Sequence, residues 1–297
     1  MRLTEGRYIS LLTDFGFKRI FGSDINKDLL IDFLNSLFNG EQVVKNVTYL
    51  NSEHVGDVYA ERKAIFDVYC ENEHGEKFIV EMQNAYQTYF KDRSLYYATF
   101  PIREQAPKGD NWNFKLQHVY VVALLNYDMN EEAFSHESIN HDVGLLDKQT
   151  HKVFNNKLTF KYVEIARFNK DINELETNFD KWLYVLRNLS RLDNQPTYLR
   201  NEVFNRLFSQ AEIARFDKKE LKAYEDSLKA YRDIKNSLDT AKEEGRAEGR
   251  AEGLAKGRAE GASEKALTIA REMLALNISV DTIKKVTGLT DNEIHDL

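Results

Sequence analysis

The chain has 297 residues, with 48 acidic and 41 basic side chains and a formal net charge of −7 at pH 7. Hydrophobic residues make up 42%, charged residues 30% and aromatic residues 12%, the composition of a soluble globular protein long enough for one large domain or two modest ones. Three prolines exclude a Pro-rich linker protein, and the acidic balance excludes a surface that grips nucleic acid all over, because neutralising phosphates takes Lys and Arg. A local binding site remains open.

Cys70 is the only cysteine, which excludes an internal disulfide framework and a multi-cysteine zinc site. Residues 1–10 are mixed polar without the apolar segment of a signal peptide. The longest apolar run, 119–125, is too short to span a bilayer. The expected setting is a reducing cytoplasm, without a membrane partner.

In chain order, Phe15, Ile20 and Phe21, then Leu29, Leu30, Phe33, Leu34 and Leu37, have helical spacing, and Asn39-Gly40 ends the second helix. A strand is expected over 43–50. The runs 64–71 and 76–83 follow as a hairpin, with Gly75 supplying a positive φ in the short loop Glu73-His74-Gly75. A helix over 90–105 carries Leu95, Tyr96, Ala98 and Ile102, with Pro101 kinking or ending it. Residues 119–125 suit a strand buried on both faces, and a further strand is expected over 157–168. Beyond that the pattern is helical: Phe179, Trp182, Leu183, Val185, Leu186 and Leu189; then Leu199, Val203, Leu207 and Ala211; then one long helix over 218–262. Strands and helices mixed early and helices alone later predict an α/β domain with a C-terminal helical extension.

The hairpin carries the chemistry. Alternation puts Phe66, Val68 and Cys70 on one face and Asp67, Tyr69 and Glu71 on the other; Ile79, Glu81 and Gln83 share one face of the return strand. A three-residue loop pairs Asn72 with Glu76 and sets Asp67 opposite Glu81, about 5 Å apart by the usual cross-strand spacing. Two carboxylates that close need a proton or a cation, and Mg²⁺ is commonly held by one or two carboxylates plus substrate phosphate. The alternative from spacing alone is an exposed strand face of ordinary solvated charges.

Asp67, then thirteen residues, then Glu81-Met82-Gln83 resembles the PD-(D/E)XK nuclease core. In particular it is similar to the bacterial recombination-promoting nuclease and transposase family, in which glutamine stands in for the usual lysine. The segments Asp14-Phe15-Gly16-Phe17-Lys18-Arg19-Ile20-Phe21-Gly22, Leu30-Ile31-Asp32-Phe33-Leu34-Asn35 and Arg93-Ser94-Leu95-Tyr96-Tyr97 resemble further motifs of that family, so that the likeness runs over about 11–168.

The resemblance implies a restriction-endonuclease-like mixed sheet core flanked by helices, and metal-dependent cleavage of DNA phosphodiester bonds. By that analogy Asp67, Glu81 and Gln83 are catalytic, and Asp67, Glu81 and the Met82 carbonyl hold Mg²⁺ or Mn²⁺. Gln83 brings only neutral dipoles where a lysine would bring charge, so a nuclease-fold module that binds DNA or protein without cutting is the alternative. Lys18, Arg19, Arg93 and Arg103 are candidate phosphate contacts, each with an ordinary surface charge as its alternative. Asp14 and Tyr97 are possible accessories, although Asp14 also suits a helix cap or a pair with Lys18. Tyr89, Tyr96 and Tyr97 either stack on nucleic acid or, as aromatic residues near a helical face usually do, fill core.

Residues 244–261 repeat a four-residue unit with glycine at 245, 249, 253, 257 and 261. Each interior glycine costs a helix about 1 kcal/mol relative to alanine, so packing against a second helix is the expected compensation. Glu and Arg flank the glycine stripe on opposite sides, which favours a parallel self-pair; a flexible spacer is the alternative. In the tail, Ser279 suits an N-cap, Gly288 a helix stop, and Thr290 with Glu293 a capping box, together a helix-turn-helix-like unit. Its last helix carries Asp291, Glu293 and Asp296, which suits protein docking or a dimer contact as well as DNA reading. The expected divisions are a nuclease-like core over 1–170, a helical region over 171–240, the repeat over 241–262 and the tail over 263–297. The expected partners are DNA and a second copy of the chain, as a homodimer or higher oligomer through the C-terminal helix.

Overall fold

The computed structural model describes residues 6–54, 64–106 and 113–297, and every candidate site residue falls within them. The first unit, Met1–Lys235, begins with helices α1 (Asp14–Phe21) and α2 (Lys27–Phe38). Thr13 caps α1 by accepting from the Gly16 N–H at 3.1 Å. Gly16 is required there: a Cβ would lie 2.1 Å from the Ser10 carbonyl oxygen. Asn39 ends α2 in the left-handed region, at φ 46°, as the sequence predicts.

The strands are β1 (Val47–Tyr49), β2 (Glu53–His54), β3 (Ala64–Ile65), β4 (Val68–Asn72), β5 (Lys77–Gln83), β6 (Val119–Leu125), β7 (Asn140–Leu146) and β8 (Val153–Val163), with helix α3 (Phe90–Arg103) between β5 and β6. Six of them form one sheet in the order β1-β4-β5-β6-β8-β7, and β2 pairs with β3. The β5–β6 and β6–β8 pairs are parallel and the others antiparallel, which makes the sheet mixed. Alternation along β5 and β6 feeds two cores. Phe78, Val80, Met82, Tyr120, Val122 and Leu124 face a core built with α1, α2, α4 (Asn178–Asn188) and α5 (Glu202–Ala211). Ile79, Val121, Ala123 and Leu125 face the core under α3. Every residue of β6 is buried, as expected of a strand covered on both sides. Trp182 of α4 packs on Phe21, Phe33 and Phe204 and donates its indole N–H to Asp32 Oδ1 at 2.6 Å. Helices α4 and α5 thus share one core with the sheet.

Several expectations are corrected. The strand expected over 43–50 shortens to β1, because Asn35 takes the backbone of Val44 instead, donating to its carbonyl and accepting from its N–H at 2.8 Å each. The run 64–71 is broken at Phe66-Asp67 into β3 and β4. The break reverses the face of Phe66, which packs with Tyr69 and Ile79 under α3 and not with Val68 and Cys70. The strand expected over 157–168 begins at Val153 and ends at Val163, followed by a short 3₁₀ turn over Ile165–Arg167. Strand β7 has no counterpart in the sequence reading, since His141-Asp142-Val143-Gly144 lacks alternation. The helix α3 runs through Pro101, which sits in its last turn.

The last helix of the first unit, α6 (Lys218–Ala275), is continuous for 58 residues, and the division between units falls within it. A Cβ at Gly245, Gly249, Gly253, Gly257 or Gly261 would meet nothing within 4 Å among the described residues. In the second unit, Asn236–Leu297, the end of α6 packs with α7 (Val280–Thr287) and α8 (Asp291–His295) around Ala270, Ile283, Leu289 and Ile294. Gly288 ends α7 at φ 74°, and Thr290 and Glu293 form the capping box of α8. Among the described residues no helix is long and apolar enough to cross a membrane.

His118, just before β6, stacks on Tyr120 at 3.8 Å and pairs with Thr159 Oγ1 at 2.9 Å. Burial, and then the charge of Lys157, push its pKa down to about 4. Between about pH 6.5 and 4 the unfolded chain takes up a proton that the folded side chain refuses, so stability falls with acid across that window. His118→Gln removes this titration, and its melting temperature is expected to drop less than that of the wild type between pH 7 and 4.5.

Candidate active site

The hairpin loop closes as the sequence predicts. Asn72 Oδ1 accepts from the N–H groups of His74 and Glu76 at 3.0 Å each, and Gly75 has φ 75°. The register pairs Val68 with Val80 and Glu71 with Lys77, which carries on to put Asp67 across from Glu81. At that point the ladder changes partners. Phe66 gives its N–H to the Ser52 carbonyl at 2.9 Å, and Met82 gives its N–H to Asp67 Oδ2, also at 2.9 Å. Both bonds that a continued ladder would place between Phe66 and Met82 are diverted, so the Met82 carbonyl lacks its β4 donor.

The same diversion ties the two carboxylates together. The Asp67 N–H donates to Glu81 Oε1 at 3.2 Å, while Gln83 Nε2 donates to Glu81 Oε2 at 3.1 Å. Glu81 is only 6% exposed. Burial first, and then the negative charge of Asp67, push its pKa up to about 8; burial likewise raises Asp67. Without a cation the pair holds a proton at neutral pH.

Two cations reach this pair from opposite sides of the sheet. From α1, Lys18 Nζ lies 2.6 Å from Asp14 and 3.8 Å from Asp67 Oδ1. From α3, Arg93 donates to Gln83 Oε1 and to Gln87 Oε1 at 2.5 Å each, and its guanidinium sits 5.7 Å from the ring centre of Tyr97. The Arg93 Nε is buried without a hydrogen-bond partner among the described residues. Gln83 therefore bridges a carboxylate to a guanidinium, a link to Arg93 and Gln87 that strand alternation alone does not reveal.

Asp14, Lys18, Asp67, Glu81, Met82, Gln83, Arg93 and Tyr97 come together in this way. Arg19 does not join them: it donates to the Gln210 carbonyl at 3.0 Å and to Glu220 at 2.6 Å, and lies 4.2 Å from the ring centre of Phe216. Arg103 is exposed at the far end of α3, about 15 Å along the helix from Arg93.

Asp67, Glu81 and the Met82 carbonyl offer oxygen atoms, the ligand type that a hard divalent cation takes. Among the described residues no group of three or more His, Cys, Asp or Glu side chains is placed to hold a metal. Two carboxylates and a backbone carbonyl is a set that leaves places for water and phosphate, as Mg²⁺ sites usually do.

A mixed sheet with helices on both faces, and a carboxylate just before β4 facing one within β5, is the architecture of the restriction-endonuclease-like PD-(D/E)XK fold. Residues 11–241 match the family described as PD-(D/E)XK nuclease family transposase, and the chain belongs to that family. Residues 263–297 match the C-terminal HTH domain of the Rpn/YhgA-like nuclease family. Comparison with curated proteins and with solved structures gives no match.

The two neighbours on α1 are expected to respond differently to truncation. Arg19→Ala removes a half-buried ion pair and a ring contact and is expected to cost about 2 kcal/mol in urea unfolding. Lys18→Ala removes a more exposed pair and is expected to change stability by less than about 1 kcal/mol.

Proposed function

We propose that this chain is a divalent-metal-dependent DNA endonuclease that hydrolyses phosphodiester bonds, acts in the cytoplasm and is linked to recombination or mobile elements. The observation that carries this reading is the pair of buried Glu81 and half-buried Asp67, both pushed towards protonation, with a lysine and an arginine on either side. Asp67, Glu81 and the Met82 carbonyl hold Mg²⁺ or Mn²⁺. When bound, such a cation activates water and stabilises charge on the phosphate in flight.

The protein's own groups do the rest. Asp67 is fixed by the Met82 N–H, and Glu81 by the Asp67 N–H and the Gln83 amide, so neither carboxylate has to reorganise. Gln83 occupies the position of the lysine usual in the wider PD-(D/E)XK pattern and brings no charge of its own. It orients Glu81 and leaves the cationic role to Arg93, whose guanidinium it holds through its amide oxygen. Lys18 supplies a second positive charge on the Asp67 side, with Asp14 holding its ammonium in place. Tyr97 supports Arg93 through its ring and stays a phenol, since burial and the nearby carboxylates raise its pKa.

One observation favours the non-cutting alternative. Lys18 lies nearer to Asp14 than to Asp67, and position 83 is neutral, so fixed positive charge at the pair is thin. The C-terminal helix-turn-helix domain is read as a DNA contact. Residues 241–262 are read as a self-association segment, supported by five glycines with open space over them and by their Glu and Arg flanks.

A plasmid nicking assay tests the reading. Wild type is expected to open supercoiled DNA with Mg²⁺ or Mn²⁺ and to stop when the metal is chelated. Asp67→Ala and Glu81→Ala are each expected to lose at least about 100-fold. Undiminished cleavage in both variants would put the chemistry elsewhere, and DNA binding without cleavage by the wild type would establish the alternative. Light scattering on a chain ending at Ser237 is expected to show a smaller oligomer than the full chain, and an unchanged mass would remove the self-association role.

A further inference from the structure

Helix α3 presents an unusual outward stripe. Tyr89, Asp92, Arg93 and Tyr96 follow the i, i+3, i+4, i+7 spacing of one helix face, and with Gln87 and Thr88 they line an open cavity of about 620 Å³. Aromatic residues at helical spacing normally point into a core, yet Tyr89 is 74% exposed and Tyr96 43% exposed. Tyr96 packs edge-on to Phe100 at 5.1 Å, which holds its ring in place with part of its surface open. Tyr86, also exposed, lies on the loop that leads from Gln83 to this stripe.

Arg93 joins the cavity to the carboxylate site, lining the one and hydrogen-bonding Gln83 in the other. Its buried Nε still lacks a partner among the described residues. Tyr89 and Tyr96 line the same cavity as Arg93, so a strand whose phosphate meets Arg93 has these rings beside its adjoining nucleotides. Those positions suit bases and not phosphates: two exposed phenol rings offer stacking faces, while Asp92 repels phosphate and accepts from exocyclic amino groups. Along the helix axis the two tyrosines start about 10.5 Å apart, close to three stacking steps of about 3.4 Å. Bases locked in a duplex cannot lie between those rings; unpaired bases can.

We propose that this face of α3 is a binding subsite for unpaired bases of the strand being cut, so that the preferred substrate is DNA with a single-stranded stretch beside the scissile phosphate. The inference rests on the nuclease reading for the word "cut", but the subsite itself is a matter of binding.

The full chain is tested by fluorescence anisotropy with a labelled single-stranded oligonucleotide, a fully paired duplex of the same sequence, and a duplex carrying a short unpaired flap. The same three DNAs are followed for cleavage in Mg²⁺. Wild type is expected to bind and cut the flap and the single strand in preference to the duplex. Tyr89→Ala with Tyr96→Ala is expected to weaken binding to unpaired DNA about tenfold per ring removed, with duplex binding changed less than threefold. Tyr89→Phe with Tyr96→Phe, which keeps both rings, is expected to stay within twofold of wild type. A 2-aminopurine in the unpaired stretch is expected to be quenched by wild type and not by the double alanine variant.

If wild type cuts DNA and the alanine variant binds and cuts all three substrates equally well, the subsite is refuted while the nuclease reading stands. If ring-dependent binding of unpaired DNA appears without cleavage, the subsite stands and the nuclease reading falls. A change in oligomeric mass on removing the rings, with DNA binding intact, would assign this face to a second copy and overturn the proposal.

Discussion

The hydrogen bond from the Met82 N–H to the Asp67 carboxylate is the contact on which the site depends. In an uninterrupted hairpin that N–H would serve the backbone of the partner strand, and Asp67 would be one more side chain on a strand face. Because Phe66 turns its own N–H to Ser52, the ladder ends one residue early and the freed backbone groups are taken by a side chain. The result is a carboxylate anchored by the main chain, its neighbour Glu81 drawn to the Asp67 N–H, and a carbonyl released from ladder duty. Repulsion between the two acids is sustained by the sheet around them, since β5 is pinned on its other side by seven residues in parallel register with β6.

The flanking charges follow from the same architecture. The helices α1 and α3 lie in different cores, one on each face of the sheet, and each sends one cation to the end of the hairpin. A lysine on the strand itself would have to share the Glu81 face. Glutamine at that position instead uses both ends of its amide, donating to Glu81 and accepting from Arg93. Charge is thereby supplied by tertiary packing, which makes the electrostatics of the site sensitive to how α3 sits on the sheet.

Most of the hairpin was legible before any coordinates. Loop length fixed the register, Gly75 and Asn72 marked the turn, and the carboxylate spacing followed from counting. The reversal of Phe66 was not legible, because it depends on Ser52, fourteen residues earlier, capturing a backbone N–H that alternation assigns to the ladder. Likewise 43–46 reads as the start of a strand until Asn35 claims the backbone of Val44. Arg19 and Lys18 are neighbours in sequence and similar in chemistry, yet helical geometry sends one to Glu220 and the other towards Asp67. Tyr89 and Tyr96 reverse the ordinary expectation for aromatics on a helix, which only their exposure reveals, whereas Tyr97 packs against the core. Strand β7, an edge element rich in polar residues, has no pattern to betray it and forms because β8 offers it a ladder.

Strand β6 carries a consequence of a different kind. Its sequence, Val-Tyr-Val-Val-Ala-Leu-Leu, is uncharged, free of glycine and proline, and rich in β-formers, which is the signature of a self-stacking segment. Both of its partners are parallel and therefore arrive by long crossovers, β8 only after some thirty further residues have been made. Until then the most apolar strand of the protein has an open edge. Shortened versions of the chain that end before Val153 would leave that edge open permanently, and the solubility of any fragment is governed more by whether β8 is included than by its length.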